Sequence, residues 1–472
     1  MAPPNPATRD QIDAYRFGLR RLEAALVRGD PVPLHEQARA QRRAVGAGVV
    51  LGVLGLLAAA VTAVVLPPPD WQRQDLVVGR PSGALYVVAH RPDRLVPVAN
   101  AVAGRLVLAA VRSAPVPGEP VLVDDAVLAG APRTPVAAVA GAVGADPRAR
   151  IAAGWAVCDE VTPTGKAIGT AVVAGRAPDG GAGGVLLAVP GRETWLVTGG
   201  YRHRVDLRDG PARTALGLAG HVPRAASPGL VSVLPEGPPL VTPEVPRSGA
   251  PGPPGLAARV GDVLVSRPAG AAPRRHVVVV GGIQEVTPLV ADVLTAASGR
   301  PVTEVGPEAV ARVPVLQRLD LRGWPAAAPV LREPTEAPVT CWAWSGAPGA
   351  DPAGVVRVGP APAARSAVAL AGADGAGPLV DAVEVGAGGA VRATAPGAPA
   401  TAGTVWLISA SGVAHGVADE ATAGALGIAD PVPAPEAVLR LLPTGPVLDL
   451  GAAARTVDVP AGGDAGLEGA LR

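Results

Sequence analysis

The stretch nearest to a phosphate-binding loop is residues 160–167, EVTPTGKA, where Gly165 precedes Lys166, the one lysine among 41 basic residues. It lacks the leading glycine and the closing Ser/Thr, so it offers neither the full cradle of backbone N–H groups nor the metal-binding hydroxyl that phosphate chemistry needs. The adjacent carboxylates Asp124 and Asp125 resemble an acid/base pair, but their place just before AVLAG suits the N-terminal cap of a helix. The six histidines (His35, His90, His203, His221, His276 and His415) are scattered and read as surface or hairpin residues. HExxH, GxSxG and a GxGxxG following a strand are absent. The expectation is no catalytic residue, no metal site and no cofactor.

What must be positioned is therefore a body, and its placement starts from one segment. Ala44 to Leu66 runs 23 residues without a charge. At about 1.5 Å per residue this is enough helix to cross a hydrocarbon core of roughly 30 Å. Arg42 and Arg43 precede it and Pro67–Pro69 end it; Gly48 and Gly52 would allow close helix packing. Residues 1–43 hold eight arginines against five acids. Basic flanks stay in the cytoplasm, which leaves the large C-terminal part outside. A cleaved signal peptide fits poorly, because the basic region and the apolar run are too long and no small-x-small site precedes the prolines. Beyond the anchor the charge is close to balanced, and no basic stripe argues for nucleic acid.

Residues 8–29 read as an amphipathic helix. Thr8 and Gln11 form a possible capping box, Ile12, Tyr15, Leu19, Leu22 and Leu26 recur at helical spacing, and Gly29 and Pro31 end the pattern. So small a helix cannot bury its stripe alone and needs a partner or the inner membrane surface.

Cys158 and Cys341 are the only cysteines, and both fall outside the membrane in this topology. Each has tryptophan neighbours, in GWAVCD and CWAWSG, and apolar strand-like surroundings disfavour a reactive thiolate. Two cysteines without clustered histidines do not make a metal site. A structural bridge is the expected use, worth roughly 4–5 kcal/mol in the chain-entropy picture.

The outer part repeats itself. Segments 85–108, 195–218, 276–296 and 406–428 each read as a hairpin leading into a short helix, three of them opening on Tyr86, Trp195 or Trp406. The second and fourth continue into LPEGPPL (234–240) and LPTGPVL (442–448), the first and third into PVLVDDAVLAG (120–130) and PVTEVGPEAVA (301–311). This a-b-a-b order suggests two halves related by a pseudo-twofold. The expected architecture is a single-pass membrane protein with a mostly-β α+β outer region, in which a central β domain is flanked by four hairpin-plus-helix repeats. Its expected boundaries are a cytoplasmic segment 1–43, a transmembrane helix 44–66, repeats at 67–130, 191–257, 258–312 and 401–450, central parts at 131–190 and 313–400, and a loose tail 451–472. The runs 235–255 and 347–364 read as loops or linkers.

This arrangement resembles EccB, a membrane subunit of type VII (ESX) secretion systems. The resemblance rests on RDQIDAYRFGLRRLEAALVRGD (9–30), the single anchor, SGALYVV (82–88), PVANAVAGRLVL (97–108), GWAVCD (154–159), WLVTGGYRHRV (195–205), LPEGPPL and LLPTGPVL (441–448), in the family's order. It implies an inner-membrane complex with EccC, EccD and EccE beside a mycosin protease, self-association, a disulfide between Cys158 and Cys341, and repeat domains similar to cell-wall-binding modules. Some members carry an ATPase label, for which this sequence supplies no nucleotide site. The function expected on this basis is a non-catalytic structural subunit of the inner-membrane complex that scaffolds its periplasmic side for protein export; the alternatives are an ATPase subunit and a stand-alone cell-wall-binding membrane protein.

Overall fold

Four stretches of alternating apolar residues each build the same small sheet. The structure, a computed structural model, describes residues 8–29, 34–65, 69–112, 119–139, 141–176, 178–346, 354–360, 366–396, 398–399 and 401–455. In the first repeat, strands Leu76–Arg80, Leu85–Ala89 and Arg94–Val98 form an antiparallel meander. Helix Ala101–Arg112 then carries the chain back, and Val121–Asp124 pairs parallel to the first strand. A parallel partner cannot be reached by a tight turn, so the helix is the required crossover. The second repeat uses Val185–Ala188, Thr194–Thr198, Tyr201–Val205, helix Gly210–Ala215 and Arg224–Ala225. The third uses Val263–Ser266, Arg274–Val279, Gly282–Val286, helix Pro288–Ser298 and Thr303–Val305. The fourth uses Gly389–Thr394, Val405–Ile408, Ala414–Gly416, helix Glu420–Leu426 and Val432–Pro435. All four sheets have the order third–second–first–fourth strand, and each fourth strand runs into a short helix: Asp125–Leu128, Pro228–Val233, Pro307–Ala311 or Glu436–Leu439.

Two expected boundaries shift. The aromatic or alternating segment that marks each copy is its second strand, and the first strand lies upstream. Val185–Ala188 therefore precedes the expected start at 191, and Gly389–Thr394 precedes the expected start at 401.

A six-stranded sheet is built from segments far apart in the chain, in the order Val355–Gly359, Val339–Trp344, Trp155–Val161, Ala167–Ala174, Ala382–Glu384, Val368–Ala369. Its two faces carry separate cores. On one, Trp155, Val157, Val172 and Trp342 join Leu230, Val231, Val438 and Leu439 from the short helices of the second and fourth repeats. On the other, Ala156, Cys158, Val173, Val339, Cys341 and Ala343 form a small cluster. The crossover helices pair off: Leu106 of the first repeat shares a core with Leu426 of the fourth, and Leu216, the C-cap of the second repeat's helix, with Leu289 of the third.

The N-terminal region, residues 1–70, is a separate unit. Helix Arg9–Arg28 has the capping box, with Thr8 Oγ1 accepting from Gln11 N–H and the Gln11 side chain accepting from Thr8 N–H, and it ends at Gly29 in the left-handed region. Pro31 lies outside the described residues. The second helix runs unbroken from Leu34 to Val65, starting well before the uncharged stretch because 34–43 is rich in good helix formers. Within it, Gln41–Val61 is long and apolar enough to cross a membrane. At the other end the chain stays packed past 451: Ala453 is fully buried in the turn Gly451–Ala454, and the Arg455 carbonyl accepts from Ala138 N–H. The rest of the expected tail, 456–472, lies outside the described residues, as does much of 347–364.

Candidate functional site

The nearest candidate for phosphate chemistry is a hairpin turn. Thr162 N–H donates to the Lys166 carbonyl at 2.8 Å, Gly165 N–H donates back to the Thr162 carbonyl, and the chain leaves directly into strand Ala167–Ala174. A phosphate cradle needs the N-terminus of a helix at that point, and a strand offers no such convergence of N–H groups. Asp124 precedes helix Asp125–Leu128 without making a side-chain cap bond. Asp125 instead accepts from Ser82 N–H at 2.9 Å and Ser82 Oγ at 2.8 Å, holding the turn between the first two strands.

Cys158 and Cys341 are directly opposed on adjacent antiparallel strands and are joined by a disulfide. Both are buried. The bridge closes a sequence separation of 183 residues, which spans the second and third repeats.

The histidines hold structure. The tail after each repeat's fourth-strand helix returns to lie along the third strand. One third-strand residue (Leu95, Arg202, Ile283 or Ala414) donates its N–H to a proline carbonyl (Pro132, Pro235, Pro314 or Pro443) at 2.8–2.9 Å. Its own carbonyl accepts from Thr134, Gly237, Leu316 or Gly445. In three repeats the next residue on the strand is a buried polar group: His203, Gln284 or His415. His203 Nδ1 donates to the Pro238 carbonyl at 2.9 Å and His415 Nδ1 to Pro446 at 3.0 Å, which fixes the proton on Nδ1 in both. Gln284 Oε1 accepts from Arg318 and Leu319 N–H, and its Nε2 donates to the Leu319 carbonyl. LPEGPPL and LPTGPVL are thus seats for a histidine, and residues 235–240 are a packed tail with Leu240 fully buried, not a linker. The first and third repeats have the same backbone return with different side chains, so the four share a geometry of which the sequence shows half. Of the others, His90 Nδ1 meets Asp93 at 2.9 Å and His221 meets Glu333. Burial holds the His276 imidazole below its ordinary pKa. The His35 side chain lies outside the described residues. Among the described residues no His/Cys/Asp/Glu group could hold a metal ion.

Two surfaces remain. On helix Arg9–Arg28 the stripe Ile12, Tyr15, Leu19, Leu22 and Leu26 is exposed, Tyr15 at 70% and Leu26 at 85%. On the outer body an apolar groove of about 710 Å³ opens beside the short helices of the second and fourth repeats, lined by Pro235, Trp342, Trp344, Pro435 and Leu441. Sequence reasoning did not find this groove, because its walls come from stretches a hundred residues apart.

The chain as a whole is similar to known proteins. The family model described as type VII secretion system ESX-1, transport TM domain B, matches residues 4–461. A Mycobacterium tuberculosis protein named ESX-5 secretion system ATPase EccB5 is 33% identical, covering 94% of this chain and 92% of its own. The ESX-1 secretion system ATPase EccB1 of Mycolicibacterium smegmatis is 31% identical over 94% of each. Among solved structures, a chain of an intact ESX-5 inner membrane complex superposes with a TM-score of 0.69 at 30% identity, covering 97% of both chains. A chain of the EccB3 dimer from the ESX-3 core complex gives 0.66 at 29% identity, covering 80% of this chain and 99% of its own. With the match running from before the amphipathic helix to beyond the last repeat, this chain belongs to the EccB family of type VII secretion membrane subunits.

Proposed function

We propose that the chain is a non-catalytic structural subunit of a type VII secretion inner-membrane complex. One observation carries this reading: the likeness over 97% of both chains to a member of an intact ESX-5 inner membrane complex. In this arrangement the helix Arg9–Arg28 is cytoplasmic, Gln41–Val61 spans the membrane, and the repeats and central sheet stand on the periplasmic side. The proposed partners are EccC, EccD, EccE and the mycosin protease. Self-association is supported by the dimer of the ESX-3 relative. The pseudo-twofold is supported by the helix pairs: first with fourth and second with third are the pairs that a twofold exchanging first with third and second with fourth would interchange. The proposed divisions are those of the sequence, with the second and fourth repeats extended to include 185–188 and 389–394.

The relatives' names favour a second reading, an ATPase. Against it stands Lys166 at the tip of a hairpin instead of at the start of a helix.

The stripe Ile12, Tyr15, Leu19, Leu22 and Leu26 docks on a partner subunit. Burying such side chains contributes about 1.5–3 kcal/mol each before ordering costs. Leu19→Asp with Leu22→Asp is expected to release the chain from its complex in mild detergent and stop secretion, with membrane insertion and the outer fold intact. Normal co-purification and secretion by this variant would sink the proposal. ATP hydrolysis above background by the purified chain would favour the ATPase.

A further inference from the structure

We propose that a pocket at the tip of the second repeat holds an arginine side chain presented by another protein chain. The pocket, about 330 Å³, opens beside the turn that joins strands Thr194–Thr198 and Tyr201–Val205, and Tyr201, His203, Glu236, Pro238 and Pro325 line it. Its walls are fixed. On one side Pro238 is held by His203. On the other, Trp324 packs against the cores of the second and third repeats and so anchors its neighbours Gly323 and Pro325. A Cβ at Gly323 would stand 2.7 Å from Pro238 Cδ. Such a cavity is largely preformed.

The pocket groups whose hydrogen-bonding role is fixed are acceptors. His203 is 4% exposed, and with its proton on Nδ1 its Nε2 can only accept. Among the described residues Nε2 has no partner, and it is open to the pocket. The Glu236 carboxylate accepts from Arg202 Nη2 at 2.9 Å and has further lone pairs to offer. No arginine or lysine lines the pocket. Arg202 alternates with Tyr201 and His203 along the strand, and its guanidinium is engaged with the Val231 carbonyl and the Trp195 ring. Tyr201 is 42% exposed, its ring centre 6.4 Å from that of His203, so an aromatic face stays open.

Acceptors, a carboxylate and an open aromatic face suit a planar cation. A guanidinium stacks on the ring while its N–H groups reach the acceptors, which an ammonium does less well. The seat itself does not require these side chains. The fourth repeat builds the same histidine seat with Val413 at the place of Tyr201 and Thr444 at that of Glu236. The proposal depends on the scaffold reading only for what supplies the arginine.

The test titrates the full chain in detergent, ¹⁵N-labelled at histidine, with Nα-acetyl-L-arginine amide. His203 Nε2 should shift saturably, and His415 Nε2 should not. The citrulline counterpart, neutral and of the same shape, should bind about fivefold more weakly, and Tyr201→Ala and Glu236→Gln should each weaken the arginine probe about two- to fivefold. No saturable shift, equal binding of the two probes, or a response to N-acetylglucosamine in their place would overturn the proposal. If Glu236→Gln, which also gives up the Arg202 ion pair, does not accumulate, Tyr201→Ala and the citrulline comparison decide. The source is read separately, by a photo-crosslinking residue at position 201 in the assembled complex. Crosslinks to an arginine-bearing segment of another subunit or of a second copy both support the site and tell the two apart, whereas crosslinks to lipid alone would refute it. A probe that binds with no such crosslink would retain the chemistry of the pocket and overturn its role in assembly.

Discussion

At Gly237 and Gly445 the space of one methyl group decides whether a repeat can seat its tail. A Cβ at Gly237 would stand 2.4 Å from His203 Cε1, and one at Gly445 would stand 2.2 Å from His415 Cε1. Neither ring can move away without breaking its bond to Pro238 or Pro446. Gly237→Ala and Gly445→Ala should each cost about 1–3 kcal/mol, the usual range for overpacking, seen as a lower denaturant midpoint. Gly424, within helix Glu420–Leu426 and with nothing near its missing side chain, is the counter-case. There Gly→Ala should stabilise by about 0.5–1 kcal/mol through helix propensity. If all three substitutions shift stability alike, the seat has been misread. The glycines are legible in the sequence as the fixed element of LPxGPxL. The histidines they receive are not, because His203 and Pro238 are 35 residues apart and no spacing rule connects them.

Among elements, hairpins and helices were readable where alternation and helical spacing were strong, as in segments led by Tyr86, Trp195 and Trp406. First strands such as Val185–Ala188 carry no such marker; that one is apolar on both faces because a separate core packs on each, Val185 and Leu187 joining one cluster and Leu186 another. The central sheet was readable mainly through its cysteines. Its adjacent strands Trp155–Val161 and Val339–Trp344 must find each other across the second and third repeats, and pairings that distant carry a large loop-closure cost. The Cys158–Cys341 bond removes that cost from the folding of the oxidised chain. Replacing both cysteines with alanine should lower stability by about 3–5 kcal/mol, measured by denaturant unfolding in detergent, with repeat topology unchanged. Protein extracted without reductant should contain no titratable thiol and should shift on a non-reducing gel only after reduction. Two free thiols in the native chain would rule the bridge out.

At the scale of the whole molecule, its two units answer to different solvents. The outer body hides its apolar residues in seven buried clusters among the described residues. The helix Leu34–Val65 exposes Val49, Leu51, Leu54 and Leu57 along its length, a surface that water does not tolerate and a bilayer does. Which end faces the cytoplasm is set by charge. Arg9, Arg16, Arg20, Arg21, Arg28, Arg39, Arg42 and Arg43 crowd the N-terminal side, while the C-terminal flank offers prolines and Asp70 before its first arginine, Arg73. The positive-inside rule supports the proposed orientation, with the N-terminal side in the cytoplasm. The native cysteines make a clean probe possible, since both are buried in the disulfide and leave an introduced thiol as the one reactive group. Arg20→Cys should react with a membrane-impermeant maleimide only after the membrane is permeabilised. Glu420→Cys, at the exposed start of helix Glu420–Leu426, should react without permeabilisation once the outer envelope is open. Labelling of both positions from one side would mean that Gln41–Val61 does not cross the membrane, and the reversed pattern would put the repeats in the cytoplasm, where neither the disulfide nor a periplasmic scaffold could be sustained.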